Sequence, residues 1–94
     1  MAIGTLTLNI HLPGCASLKE KRGRLKPLLA RLHREFNISV AEMNLNDRWQ
    51  EAIVACALVN NDAAHIQRSL QAVAKWVETK WPDVQVVDET IEIV

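Results

Sequence analysis

The sequence predicts an α+β domain, a four-stranded antiparallel sheet backed on one face by two helices. Two observations carry that prediction. Two apolar stripes of helical spacing alternate with segments of two-residue periodicity in the order β-α-β-β-α-β, and the middle two strands are joined by a short polar stretch. At 94 residues, 49% of them apolar, the chain has the size of one domain (1–94) with a single two-layer core.

Residues 2 to 12 alternate, with Leu6, Leu8, Ile10 and Leu12 on one face and Thr5, Thr7, Asn9 and His11 on the other, the pattern of a half-buried strand. Pro13-Gly14 closes it. Ser17 followed by Glu20 forms a capping-box pattern that opens a helix over 18 to 36. Leu18, Leu25, Leu29, Leu32 and Phe36 share one stripe of that helix, with Leu28 at its edge. Pro27 falls on the solvent side, where its missing N–H deprives only the Gly23 carbonyl, so the stretch reads as one kinked helix.

Residues 38 to 43 (ISVAEM) read as the second strand and NLNDR as the hairpin turn after it. The third strand, 52 to 59 (AIVACALV), is apolar at both parities, which predicts a strand covered on both sides. Asn60-Asn61-Asp62 offers an N-cap. The second helix follows, with Ala63, Ile66, Leu70, Val73, Ala74, Val77 and Trp81 on one stripe and Pro82 to end it. The last strand alternates through VQVV, breaks at DET and resumes as IEIV with shifted parity, which predicts a bulge near Asp88. Right-handed crossovers and a central hairpin then lead to the ferredoxin-like βαββαβ plait.

The N-terminal stretch has neither a basic leader nor a long apolar run, so the expected location is the cytoplasm, with no membrane partner. Two cysteines far apart, without metal-ligand spacing, fit a reducing compartment. The net charge of zero hides a segregation, because residues 1 to 36 carry a net +5 and residues 37 to 94 a net −5. Five cations, Lys19, Lys21, Arg22, Arg24 and Lys26, crowd the start of the first helix. The helix dipole disfavours each of them there by roughly 0.3–1 kcal/mol when exposed. A bound polyanion would compensate, and a collar of cations around free N–H groups is a plausible anion seat.

At HLPGCASLKEKRGRLKPLLARLHREFNISVAE, with Trp49 and ALVNND following, the sequence resembles the YlxP-like family of small bacterial proteins of unknown function. The shared elements are HLPG, SLKEKR, F-N-x-S-V-A-E and L-V-x-N-D, in that order and over nearly the whole chain. The resemblance implies a ferredoxin-like fold and a genomic setting near translation-initiation and ribosome-maturation genes. It implies no activity and no catalytic residues. Only SLKEKR carries over, as a candidate binding element, and Cys15 departs from the family's usual residue.

Enzyme chemistry finds little footing, and the expectation is a protein without catalytic residues, bound metal or cofactor. His11, His33 and His65 fall on three different elements, and no HxH, HExxH or CxxC pattern gathers ligands. Cys15 lies near a helix start and cations, which favours a thiolate, but a nucleophile also needs a base in reach. Glycines 4, 14 and 23 match no phosphate-cradling loop.

RNA or a ribonucleoprotein such as the ribosome is the expected partner. The central strands carry no aromatics for base stacking, so contact would be made through phosphates by the five cations. The alternative is a homodimeric protein-interaction or ligand-sensing module. That reading rests on Ile53, Ala55 and Ala57, the outward row of the third strand, and on Trp76, which falls off the core stripe of the second helix.

Overall fold

The computed structural model describes residues 1–43 and 48–94; most of the NLNDR turn therefore lies outside the described residues. The elements follow the order β1 (Ala2–His11), α1 (Leu18–Glu35), β2 (Ser39–Met43), β3 (Glu51–Asn60), α2 (Ala63–Lys80) and β4 (Gln85–Ile93). All four strands join one antiparallel sheet in the order β2-β3-β1-β4, the ferredoxin-like arrangement. β1 pairs with β3 along its whole length, Ala2 opposite Asn60 and His11 opposite Glu51.

Alternation decides which face is which. Leu6, Leu8 and Ile10 of β1 and Ala52, Val54 and Cys56 of β3 are buried against the helices. Ile66, Leu70, Val73, Ala74 and Val77 close the core from α2. Gly4 lets α2 approach this closely, since a Cβ there would collide with the branched side chain of Ile66.

Local chemistry sets the boundaries. Gly14 takes the left-handed conformation (φ 69°) that the turn after β1 requires. Ser17 Oγ accepts the Glu20 N–H at 3.0 Å and so caps α1. Asp62 Oδ1 accepts the N–H groups of Ala64 and His65 and caps α2. α1 runs unbroken through the exposed Pro27. In β4 the register with β1 slips between Asn9 and Ile10, which face Asp88 and Val86, leaving Val87 as the extra residue beside the predicted bulge position.

Two packing expectations need correction. α1 is rotated about its axis, so that Lys21, Leu25, Leu28 and Leu32 are buried while Leu18, Leu29 and Phe36 are only partly so. The outer face of β3 is also uncovered. Both helices lie over the inner face, and Ile53, Ala55 and Ala57 owe their half-burial to the flanking strands, while Val59 is 56% exposed.

Candidate anion-binding face of the first helix

The five cations of the SLKEKR region do not share one fate. Lys21 extends from the core stripe of α1, its side chain 2% exposed, and its Nζ lies 3.1 Å from Glu42 Oε2 on β2. A buried ammonium persists only with an opposite charge and hydrogen-bond partners, and Glu42 supplies the charge. The pair pins the first turn of α1 to β2.

Arg24 is equally committed. Its Nε donates to Asp83 Oδ2 at 2.9 Å, one Nη to the Asp83 carbonyl at 2.6 Å and the other to the Pro13 carbonyl at 2.9 Å. Glu20 Oε2 stands 3.5 Å away, one turn earlier. The hydrogen bond to Asp83 raises the guanidinium pKa further above its ordinary value. The planar fork thus ties the β1–α1 connection to the α2–β4 connection. The expectation that Lys21 and Arg24 contact a partner's phosphates is therefore corrected, because both donate to groups of this chain.

Lys19, Arg22 and Lys26 remain exposed. Among the described residues, no carboxylate comes within ion-pair distance of them. At 100° per residue they fall, together with exposed His33, in a band about 60° wide. Glu20, Arg24, Arg31 and Glu35 occupy the opposite flank. The expected collar is thus a stripe, about 10 Å long from Lys19 to Lys26. A cleft of about 250 Å³ lined by Leu18, Lys21, Arg22 and Glu42 sets Arg22 beside the buried pair.

The interaction residues also separate. Trp76 is occupied within the chain: it meets Phe36 edge-on at 6.1 Å, stacks on Trp81 at 5.9 Å and receives the Arg31 guanidinium 5.7 Å over its ring. It seals the gap between α1 and α2, and its expected role as a contact residue is corrected. Ile53, Ala55 and Ala57 do lie on an open face. Trp49 is 52% exposed, and among the described residues it has no aromatic ring contact.

The Cys15 thiol is 1% exposed and donates to the Ser17 carbonyl at 3.5 Å, which denies it the access a nucleophile needs. Burial pushes the Cys56 thiol up to about 11. His11, His33 and His65 stand on β1, α1 and α2 respectively. Among the described residues no three metal-binding side chains gather, and no helix is long and apolar enough to cross a membrane.

Sequence reasoning missed the Lys21–Glu42 pair, though both halves left a trace. Lys21 sits four residues before Leu25 on the apolar stripe, and Glu42 shares the inward parity of Ile38 and Val40. A lone base and a lone acid in two otherwise apolar patterns are the signal. Comparison with known proteins matches residues 3–91 to a family model described as Protein of unknown function (DUF503). The uncharacterized protein YlxP of Bacillus subtilis (strain 168) is 33% identical over 69 residues, covering 73% of this chain and 74% of its own.

Proposed function

We propose that this chain, which belongs to the DUF503 family of proteins of unknown function, is a non-enzymatic cytoplasmic accessory factor that contacts RNA within a ribonucleoprotein such as the ribosome. One observation carries the reading: Lys19, Arg22 and Lys26 form an exposed stripe, without carboxylate partners among the described residues, in the first half of a helix whose dipole opposes Lys19 and along which the three repel one another at i,i+3 and i,i+4 spacing. A run that is unfavourable for the isolated fold is rationalised by an anionic partner. Charge-assisted contact with phosphates suits it better than base reading, since no strand carries a Phe, Tyr or Trp. Two buried free thiols accord with a reducing cytoplasm.

The test is co-sedimentation of the untagged protein with ribosomal subunits and their precursors from lysate, across a range of salt. Three phosphate contacts give a log–log slope of roughly −2 to −3. Changing Lys19, Arg22 and Lys26 together to Glu should abolish binding, and Lys21→Met should preserve it. Salt-independent binding, or a triple variant that binds as the parent does, overturns the proposal.

A further inference from the structure

Gly23 lies inside the first half of α1, and nothing within the fold asks for a glycine there. A Cβ at this position would meet no heavy atom within 4 Å, so no neighbouring element packs against it. Its backbone is not left-handed, a conformation that only Gly14 adopts among the glycines. A glycine inside a helix is less favourable than an alanine, so the residue weakens α1 with no return inside the chain. Of the uses a glycine has, close approach of the backbone to something outside the chain is the one left.

Pro27 makes the same place chemically unusual. In an α-helix the Gly23 carbonyl accepts from the N–H of residue 27, and proline has none. Both residues are exposed, so the carbonyl meets solvent with its helical hydrogen bond unmade and no side chain of its own beside it. Water serves this acceptor in the free protein, and a bound partner must supply a donor in its place.

The neighbours select that donor. Gly23 falls between Lys19 and Lys26, about 6 Å and about 4.5 Å from them along the axis at 1.5 Å per residue. Around the axis it borders their stripe, at about 40° from Lys19 and about 60° from Lys26. The inference rests on the proposal that this stripe holds RNA phosphates; the two lysines then seat phosphates on either side of Gly23. Phosphate oxygens accept hydrogen bonds and do not donate them. Between successive phosphates of a nucleic-acid backbone the donor is the ribose 2′-hydroxyl, which DNA lacks.

We infer that the Gly23 carbonyl accepts a hydrogen bond from a ribose 2′-hydroxyl of the RNA whose phosphates lie on Lys19 and Lys26, so that α1 tells RNA from DNA without reading a base. Each residue has its part. Gly23 lets the sugar come within hydrogen-bond distance of the backbone, Pro27 keeps the acceptor open, and the lysines set the register of the strand. A methyl group at position 23 would hold the sugar off the helix.

Fluorescence anisotropy with two labelled probes tests it: an RNA stem-loop, and the same stem-loop carrying 2′-fluoro in place of every 2′-hydroxyl. The fluoro probe keeps the phosphates and the A-form helix and loses only the donor. The parent should bind the hydroxyl probe roughly 3- to 10-fold more tightly, the range of one hydrogen bond. Pro27→Ala supplies an N–H that closes the Gly23 carbonyl into the helix, so the preference should vanish while affinity for the fluoro probe stays as in the parent. Because that affinity is measured on the same protein, misfolding cannot mimic the result. Gly23→Ala has room for its methyl group and should melt no lower than the parent, yet lose at least the same factor on the hydroxyl probe. Equal affinity of the parent for the two probes, with salt-dependent binding retained, overturns the hydroxyl contact and leaves the phosphate contacts standing. A preference that survives both Pro27→Ala and Gly23→Ala overturns it as well. Absence of binding to either probe does the same, and takes the phosphate proposal with it only if ribosomal particles also fail to bind.

Discussion

Lys21 Nζ lies 3.1 Å from Glu42 Oε2, with the lysine side chain 2% exposed and the glutamate 20% exposed, so one ion pair joins the first turn of α1 to the short strand β2. The asymmetry in exposure predicts an asymmetry in mutational cost. Glu42→Ala removes the counter-charge that stands 3.1 Å from a buried ammonium and should cost about 3 kcal/mol, the low end for breaking a buried pair. Lys21→Met leaves a carboxylate that water can reach and should cost less. The double variant Lys21→Met with Glu42→Leu should lie within about 1 kcal/mol of the parent or above it. Equilibrium urea denaturation of the three variants measures this order. Equal losses for the two single variants would contradict the burial argument.

Charge reversal along the basic stripe should separate binding from folding. Replacing Lys19, Arg22 and Lys26 by Glu places acids in the first half of α1, where each exposed first-turn acid is favoured by about 0.3–1 kcal/mol. The melting temperature should hold or rise by a few degrees. A strongly destabilised triple variant would mean that these side chains hold the fold rather than a partner.

Leu28 and Leu29 are adjacent leucines with different tasks. Leu28 is fully buried and Leu29 half-buried, so Leu28→Ala should cost about 2–5 kcal/mol and Leu29→Ala clearly less. Thermal denaturation of the pair checks the rotation of α1. The reverse order would restore the stripe centred on Leu29.

Arg24→Lys keeps the charge but cannot reproduce a fork that engages Asp83 twice and Pro13 once. The expected loss is about 1–2 kcal/mol, accompanied by faster amide exchange at the helix-flanking connections around residues 13–17 and 81–84. Binding to ribosomal particles should be unchanged. Selective loss of binding would return Arg24 to the contact set.

Cys56 gives a pH dependence of definite sign. Its thiol pKa is raised from 9.0 to about 11 by burial, so the folded state holds the proton more tightly than the unfolded state. That contribution is fully present below pH 9 and is lost as pH rises towards 11, with an upper bound of about 2–3 kcal/mol. Urea midpoints at pH 8 and pH 10.5 should therefore converge less in the parent than in Cys56→Ala. An identical pH profile for the two proteins would rule the thiol out as the cause.

The sequence by itself determined the order of elements, both helix caps, the inward row of β1 and the bulge beside Asp88. Those features come from periodicity, from side chains bonding their own nearby backbone, and from the two-residue repeat of a strand, all of them local. Tertiary structure decided the rest. Whether Lys21 was a surface cation or a buried partner depended on Glu42, 21 positions away, being carried by β2 under the same turn of α1. Arg24 was claimed by Asp83, and Trp76 by Phe36, Arg31 and Trp81, through approaches of α1 and α2 that no window of sequence contains. The apolar outer row of β3 read as a covered face because its composition matches one. Only the placement of both helices on the opposite side shows that it is open, since hydrophobicity along a strand records that a face is to be buried and not what buries it.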